Sequence, residues 1–71
     1  MDDNFTLHRP MSVPDLIVTE LEEAPGRTFT VRELARLVGA TPRETAKNCS
    51  RLCAEGEIKR VARGVYAALG A

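Results

Sequence analysis

The sequence predicts an α+β fold in which three short helices precede a two-stranded β-hairpin. Three serine or threonine capping signals divide the chain, and apolar residues recur at helical spacing after each of them. Near the end, a glycine-containing turn separates two segments that favour β-structure. The chain has 71 residues, enough for one small domain. No apolar run approaches the length of a membrane-spanning helix, so no membrane partner is expected.

The first helix is predicted to begin after Ser12, because Ser12-Val13-Pro14-Asp15 offers a hydroxyl N-cap, a proline in the first turn and an acid three residues after the cap. Pro25-Gly26 is expected to end it. Helical spacing places its apolar residues on one face, which consists of Leu16, Ile17, Leu21 and Ala24.

Residues 1–11 show neither helical nor alternating periodicity, so we expect a flexible N-terminal arm, followed by one folded domain over residues 12–71. The arm carries two apolar residues, Phe5 and Leu7, outside the pattern of the domain. They could dock on the chain's own core or on a second subunit of a homodimer, and the sequence does not decide between these.

A capping box, Thr30-Val31-Arg32-Glu33, predicts the start of the second helix, because the hydroxyl and the carboxylate each satisfy a backbone N–H there. Gly39 supplies the left-handed residue that closes this helix. A short strand is expected just before it, at residues 28–30. The predicted buried face of the helix consists of Val31, Leu34, Ala35 and Val38.

A third capping box, Thr41-Pro42-Arg43-Glu44, follows after only Gly39-Ala40. Two helices joined so tightly must turn sharply against each other, which is the geometry of a helix-turn-helix. The third helix is predicted to run from Pro42 to about Glu55, with Gly56 after it. Its apolar stripe consists of Ala46, Cys49, Leu52 and Cys53.

Two short strands are predicted at residues 57–61 and 65–69, joined by the three-residue loop Ala62-Arg63-Gly64. Three-residue hairpin loops commonly have one residue in the left-handed backbone conformation, which glycine adopts without steric cost. An isolated hairpin is only marginally stable in water, so this one is expected to pack against the helices.

These motifs together resemble the winged helix-turn-helix DNA-binding domains of bacterial and phage regulators, over about residues 13–70. The shared patterns are Phe29-Thr30-x-x-Glu33-Leu34-Ala35, Leu37-x-Gly39, Leu52-x-x-x-Gly56-x-Ile58 and Arg63-Gly64-Val65-Tyr66. Antitoxin-type and plasmid or phage repressors often end in a similar Arg-Gly-Val-Tyr hairpin. The resemblance implies a transcriptional repressor that binds double-stranded DNA sequence-specifically. A cytoplasmic location is expected separately, because the first residues are acidic and lead into no long apolar stretch. The third helix would enter the major groove, and the C-terminal β-hairpin of residues 57–69, which is the wing, would lie on the minor groove or the phosphate backbone.

The distribution of charge supports a polyanionic partner, although the net charge of the chain is zero. Six acidic residues and one arginine give residues 1–24 a net charge of −5, whereas nine basic and four acidic residues give residues 25–71 a net charge of +5. The candidate DNA contacts are Thr41, Arg43, Glu44, Lys47, Asn48, Arg51, Lys59, Arg60 and Arg63.

The chemistry of these residues suits DNA, since Arg can pair with guanine, Asn with adenine and Glu with cytosine. Lys47, Arg51 and Thr41 could instead contact phosphates, which orient a protein without specifying a sequence. The alternative interpretation is that the third helix simply presents a solvated face. The charges of the hairpin would then protect an edge strand from aggregation.

No catalytic group of residues, cofactor-binding motif, metal site or small-molecule site is predicted. Cys49 and Cys53 share a helix face, but zinc needs four ligands and the one histidine, His8, lies in the arm. Both cysteines are therefore expected to be free thiols that pack in the core. A competing function is a winged-helix adaptor that binds proteins and not DNA, because a fold does not dictate one function. The acidic first helix could offer such an adaptor a surface for a basic partner.

Overall fold

The computed structural model describes residues 11–70 and confirms the predicted α+β layout. The predictions for the arm, including Phe5, Leu7 and His8, concern residues outside this described part, and the division into arm and domain stays a prediction. In chain order the elements are α1 (Val13–Glu22), β1 (Phe29–Thr30), α2 (Val31–Val38), α3 (Pro42–Ala54), β2 (Ile58–Ala62) and β3 (Val65–Ala68).

Each helix begins at the predicted capping residue. The hydroxyl oxygens of Ser12, Thr30 and Thr41 accept bonds from backbone N–H groups three residues later, at 3.4, 3.1 and 3.1 Å. At α2 the capping box is complete, because Glu33 Oε1 accepts the N–H of Thr30 at 2.8 Å.

The predicted capping box of α3 is only half formed. Thr41 caps the helix, but within residues 11–70 the Glu44 carboxylate is not bonded to the Thr41 N–H. Glu44 lines a depression on the protein surface together with Thr41, Arg43 and Lys47. The Thr41 cap and Pro42 in the first turn are therefore sufficient to start this helix.

The short strand before α2 is present and joins the hairpin in a three-stranded antiparallel sheet of order β1-β3-β2. Phe29 pairs with Tyr66 and Thr30 pairs with Val65, so the middle strand β3 receives partners on both sides. Thr30 is both the last residue of β1 and the N-cap of α2. The sheet is thus fixed directly to the start of the second helix.

The predicted three-residue hairpin loop is wrong. Ala62 pairs with Val65, which leaves only Arg63-Gly64 in the turn, with Gly64 at a φ of +70°. Between Arg60 and Ala62, β2 contains one residue more than the facing segment of β3. This additional residue forms a β-bulge, because the pairing register shifts there. The irregularity therefore lies in the strand and not in the loop.

The core forms where the three helices meet one face of the sheet. Half of the predicted apolar face residues are buried, and these are Ile17, Leu21, Leu34, Ala35, Cys49 and Leu52. The other half are only partly buried, and these are Leu16, Ala24, Val31, Val38, Ala46 and Cys53. The prediction for α1 is wrong at Leu16, because Val13 and Val18 pack against the core there instead. The buried cluster consists of Ile17, Leu21, Phe29, Leu34, Cys49, Leu52, Ile58, Tyr66 and Ala68.

Thr45 is the buried residue that the apolar pattern did not predict. It lies on the inner face of α3 with no exposed surface, and its hydroxyl has no hydrogen-bond partner among the described residues. A buried hydroxyl without a partner costs about 1–3 kcal/mol. The inner face of α3 is thus less favourable than an all-apolar face would be.

The two cysteines are free thiols at different depths. Cys49 is fully buried, and burial together with the neighbouring Cys53 raises the pKa of Cys49 to about 11. Burial also raises the pKa of Cys53, although the nearby charge of Arg60 opposes this. Both thiols are therefore protonated at neutral pH, which suits packing better than reactivity.

The raised pKa of Cys49 predicts a loss of stability in alkaline solution. Below pH 9 the thiol is protonated in both states, and between pH 9 and about 11 the unfolded chain releases the proton while the folded chain retains it. The free energy of unfolding is therefore expected to fall by about 2–3 kcal/mol over this range. Urea denaturation at several pH values measures it. A Cys49→Ala variant should show a flatter alkaline decline, and an unchanged decline would contradict the assignment to Cys49.

Candidate nucleic-acid interface

The outer face of α3 carries a row of polar and charged side chains. Its inner residues, including Thr45, Cys49 and Leu52, are buried where α3 packs against α1 and α2. The helical repeat therefore directs the candidate contacts of α3 to the opposite side. Four of these residues are exposed and Asn48 is half-buried, so one helix face presents Arg43, Glu44, Lys47, Asn48 and Arg51.

A depression of about 240 Å³ lies at the start of this face. It is lined by Thr41, Arg43, Glu44 and Lys47, so two cationic side chains and one carboxylate meet beside the N-terminus of α3. The oxygen of the Thr41 hydroxyl caps the helix, but its hydrogen can still be donated to an anion. The positive end of the helix dipole adds to the attraction for a phosphate.

Asn48 and Arg51 are linked by hydrogen bonds further along the same face. The Asn48 Nδ2 donates to the backbone oxygen of Glu44 at 2.9 Å, and Arg51 Nη2 donates to Asn48 Oδ1 at 3.0 Å. Both ends of the amide are therefore engaged within α3. The sequence expectation treated Asn48 as free to read a base and did not include this linkage.

The three basic residues of the wing are all exposed, but they do not share one face. Successive strand residues point to opposite faces, so Lys59 and Arg60 are separated by the sheet. Arg60 lies on the same face as the buried Ile58 and close enough to α3 to influence Cys53. Arg63 occupies the turn, beside Gly64.

The wing turn is attached to α2 by a backbone hydrogen bond. The Val31 N–H, at the start of α2, donates to the Gly64 carbonyl at 3.0 Å. This N–H has no acceptor within its own helix, so the wing satisfies it. Sequence reasoning missed this contact, since it joins residues far apart in the chain.

Arg27 is an exposed cation that the sequence reasoning did not assign. Its guanidinium lies 4.3 Å from the centre of the Phe29 ring, and its Nη2 is 3.9 Å from Glu33 Oε2. The spacing of two residues between Arg27 and Phe29 could have indicated that they share a face. These contacts attach Arg27 to the β1–α2 junction.

The folded domain keeps the segregation of charge seen in the sequence. All charged residues of α1 and its cap are acidic, and they are Asp15, Glu20, Glu22 and Glu23. Within residues 11–70, no helix has the length and apolar character needed to cross a membrane. No group of three or more His, Cys, Asp or Glu residues in that range could hold a metal ion.

Comparison with known proteins supports a regulatory role. No characterised protein matches the sequence closely enough for comparison. Residues 17–68 match the family described as "Transcriptional regulator, AbiEi antitoxin", which is a family of regulators and not a class of enzymes. The match covers all three strands, α2, α3 and most of α1. Because it extends over well over half of the chain, this protein belongs to the AbiEi antitoxin family of transcriptional regulators.

Proposed function

We propose that this protein is a bacterial or phage-borne repressor that acts in the cytoplasm by binding double-stranded DNA sequence-specifically. The observation that carries the proposal is the outer face of α3, where Arg43 and Lys47 lie beside a capped helix N-terminus. A regulator family makes DNA the natural partner for such a face. Repression would follow from occupation of an operator and requires no chemical step.

In the proposed complex, the N-terminal half of α3 enters the major groove. Arg43 and Lys47 suit the acceptors of guanine, and Glu44 suits the amino group of cytosine. Each well-placed pair would contribute about 1–3 kcal/mol of discrimination. Thr41 would bind a phosphate and fix the position of the helix.

The wing would make the second contact. Arg63 in the turn would enter the minor groove or grip the backbone, since a narrow groove attracts arginine electrostatically. Arg60, on the face of the sheet that also carries the buried Ile58, would add a phosphate contact. Lys59 points to the other face, so its contribution would be smaller.

Binding by one copy would be weak and strongly dependent on salt. The six basic candidates of α3 and the wing give an expected slope of log K against log salt of about −3 to −5, if half or more engage phosphates. Two copies on a palindromic or tandem site would raise the affinity without new contacts. The proposal therefore includes a homodimer, or paired binding, on the operator.

A titration of labelled random duplex DNA across a salt series tests the proposal. We expect binding at about 50 mM salt that weakens with the stated slope as salt is raised. A binding curve that does not respond to salt would argue against phosphate contacts. No detectable binding at 50 mM would refute the DNA function, because nonspecific affinity is strong at low salt.

The second candidate function is an adaptor that binds a basic protein partner through α1. The observation that favours it is the concentration of acidic residues in the last turn and cap of α1, Glu20, Glu22 and Glu23, with no basic residue in that turn. Negative charge at a helix C-terminus opposes the helix dipole. An adaptor would retain its partner when Arg43 and Lys47 are replaced by Ala, whereas a DNA-binding protein would lose affinity.

A further inference from the structure

Asn48 is held at both ends by groups of its own helix. The Glu44 carbonyl can only accept a hydrogen bond, and the Arg51 guanidinium can only donate one. The 2.9 Å bond from Nδ2 and the 3.0 Å bond to Oδ1 therefore define which end of the amide faces which neighbour. The orientation of the Asn48 amide therefore follows both from the two distances and from which neighbour can donate and which can accept.

This arrangement is unfavourable for reading a base with Asn48. Bidentate recognition of adenine requires the Oδ1 and the Nδ2 of one asparagine at the same time. The Nδ2 keeps a second hydrogen and the Oδ1 a second lone pair, but the two intrahelical bonds hold the direction of the amide. Turning the amide towards a base would disturb these bonds, and Asn48 is half-buried while the neighbouring Arg51 is exposed. The cost of disturbing these bonds would offset part of the gain from a contact with a base.

The same arrangement is favourable for Arg51. One of its five N–H donors is bonded to Asn48, which restrains a long side chain, and among residues 11–70 its other donors have no hydrogen-bond partner. Arg51 lies nine residues beyond Pro42, in the second half of the thirteen-residue α3. In a helix that enters the major groove by its N-terminal half, a cation at this distance is placed for the phosphate backbone.

We propose that Asn48 is a positioning residue that holds the Arg51 guanidinium ready for a DNA phosphate, and that Asn48 does not itself read a base. This inference rests on the proposed DNA function and deepens it. It restricts base reading on α3 to Arg43, Glu44 and Lys47. A preorganised arginine loses less side-chain freedom on binding than a mobile one.

A double-mutant cycle with Asn48→Ala and Arg51→Ala tests the inference, with affinity for random duplex DNA measured across a salt series. Arg51→Ala is expected to make the slope of log K against log salt shallower by about 0.9, the loss of one phosphate contact. Asn48→Ala is expected to weaken binding about two- to tenfold through the lost restraint on Arg51. In the Arg51→Ala background, Asn48→Ala should have no further effect.

Selection of preferred duplexes from a randomised pool separates positioning from base reading. The Asn48→Ala variant is expected to select the same bases as the unsubstituted protein. Additive effects in the cycle, or the loss of an adenine preference at one position, would overturn the inference. Failure of the unsubstituted protein to bind any duplex would instead overturn the DNA function. Circular dichroism of each variant verifies that α3 remains helical.

Discussion

Replacing Leu34 with Ala is expected to lower the free energy of unfolding by about 2–5 kcal/mol, which is a large share of the stability of so small a domain. Leu34 has no exposed surface and lies in the cluster that joins the three helices to the sheet. The shortened side chain leaves a cavity that neighbours on several elements cannot all fill. Thermal and urea denaturation measure the effect, with a fall in melting temperature of about 10 °C or more.

Leu37→Ala is the matched control, because Leu37 lies on the same helix but is 50% exposed. Its replacement is expected to change the free energy of unfolding by no more than about 0.5 kcal/mol. Equal destabilisation by the two variants would contradict the described core. A stable Leu34→Ala variant would show that α2 does not contribute to the core as described.

The Arg43→Ala/Arg63→Ala double variant is expected to lose DNA affinity by on the order of 10- to 100-fold at low salt. It removes one cation from α3 and one from the wing turn, the two proposed contacts with the duplex. The salt dependence of binding should become shallower by about 1–2 units of slope. Both residues are exposed, so the melting temperature should remain close to that of the unsubstituted protein.

A charge-matched control shows whether the loss of DNA affinity depends on the positions of Arg43 and Arg63 or only on the net charge of the protein. Arg27→Ala/Arg36→Ala removes the same number of positive charges from exposed positions outside the proposed interface. It is expected to weaken binding by no more than about threefold, through the general field of the protein. If both double variants lose affinity equally, the protein attracts DNA by overall charge and the proposed interface is wrong.

The helices could be predicted because their signals are local. Ser12, Thr30 and Thr41 each act on N–H groups within one turn, and Gly39 closes α2 through its own left-handed backbone, at a φ of +74°. Such signals need no knowledge of the rest of the fold. They fixed the starts of the helices, and the order of elements followed.

The sheet was less predictable because its pairing joins distant residues. Whether Ala62 belongs to the turn or to β2 depends on its alignment with Val65, and composition alone does not give that register. The contacts of Phe29 and Thr30 with β3 bridge more than thirty residues of chain. The burial of Thr45 was missed because of its residue type, since its spacing of four and seven residues from Cys49 and Leu52 places it on the same face of α3.

The candidate interface was predictable in composition but not in its internal bonds. Helical spacing correctly separated the outer side chains of α3 from its buried residues. The spacing of Glu44, Asn48 and Arg51 by four and three residues allowed contacts along the helix, yet spacing alone does not show which bonds form. Successive side chains of a strand alternate between the two faces of a sheet, and this is a local property of the chain. The sequence could therefore have shown that Lys59 and Arg60 point to opposite faces.

The bond between Val31 and Gly64 bears on how the protein would adapt to its target. The bond holds the wing turn against the start of α2, the helix that precedes the turn into α3. The distance between the outer face of α3 and the wing would therefore be restrained already in the protein without DNA. A duplex whose groove geometry matches that distance would be bound without an ordering cost, and a mismatched duplex would itself have to deform.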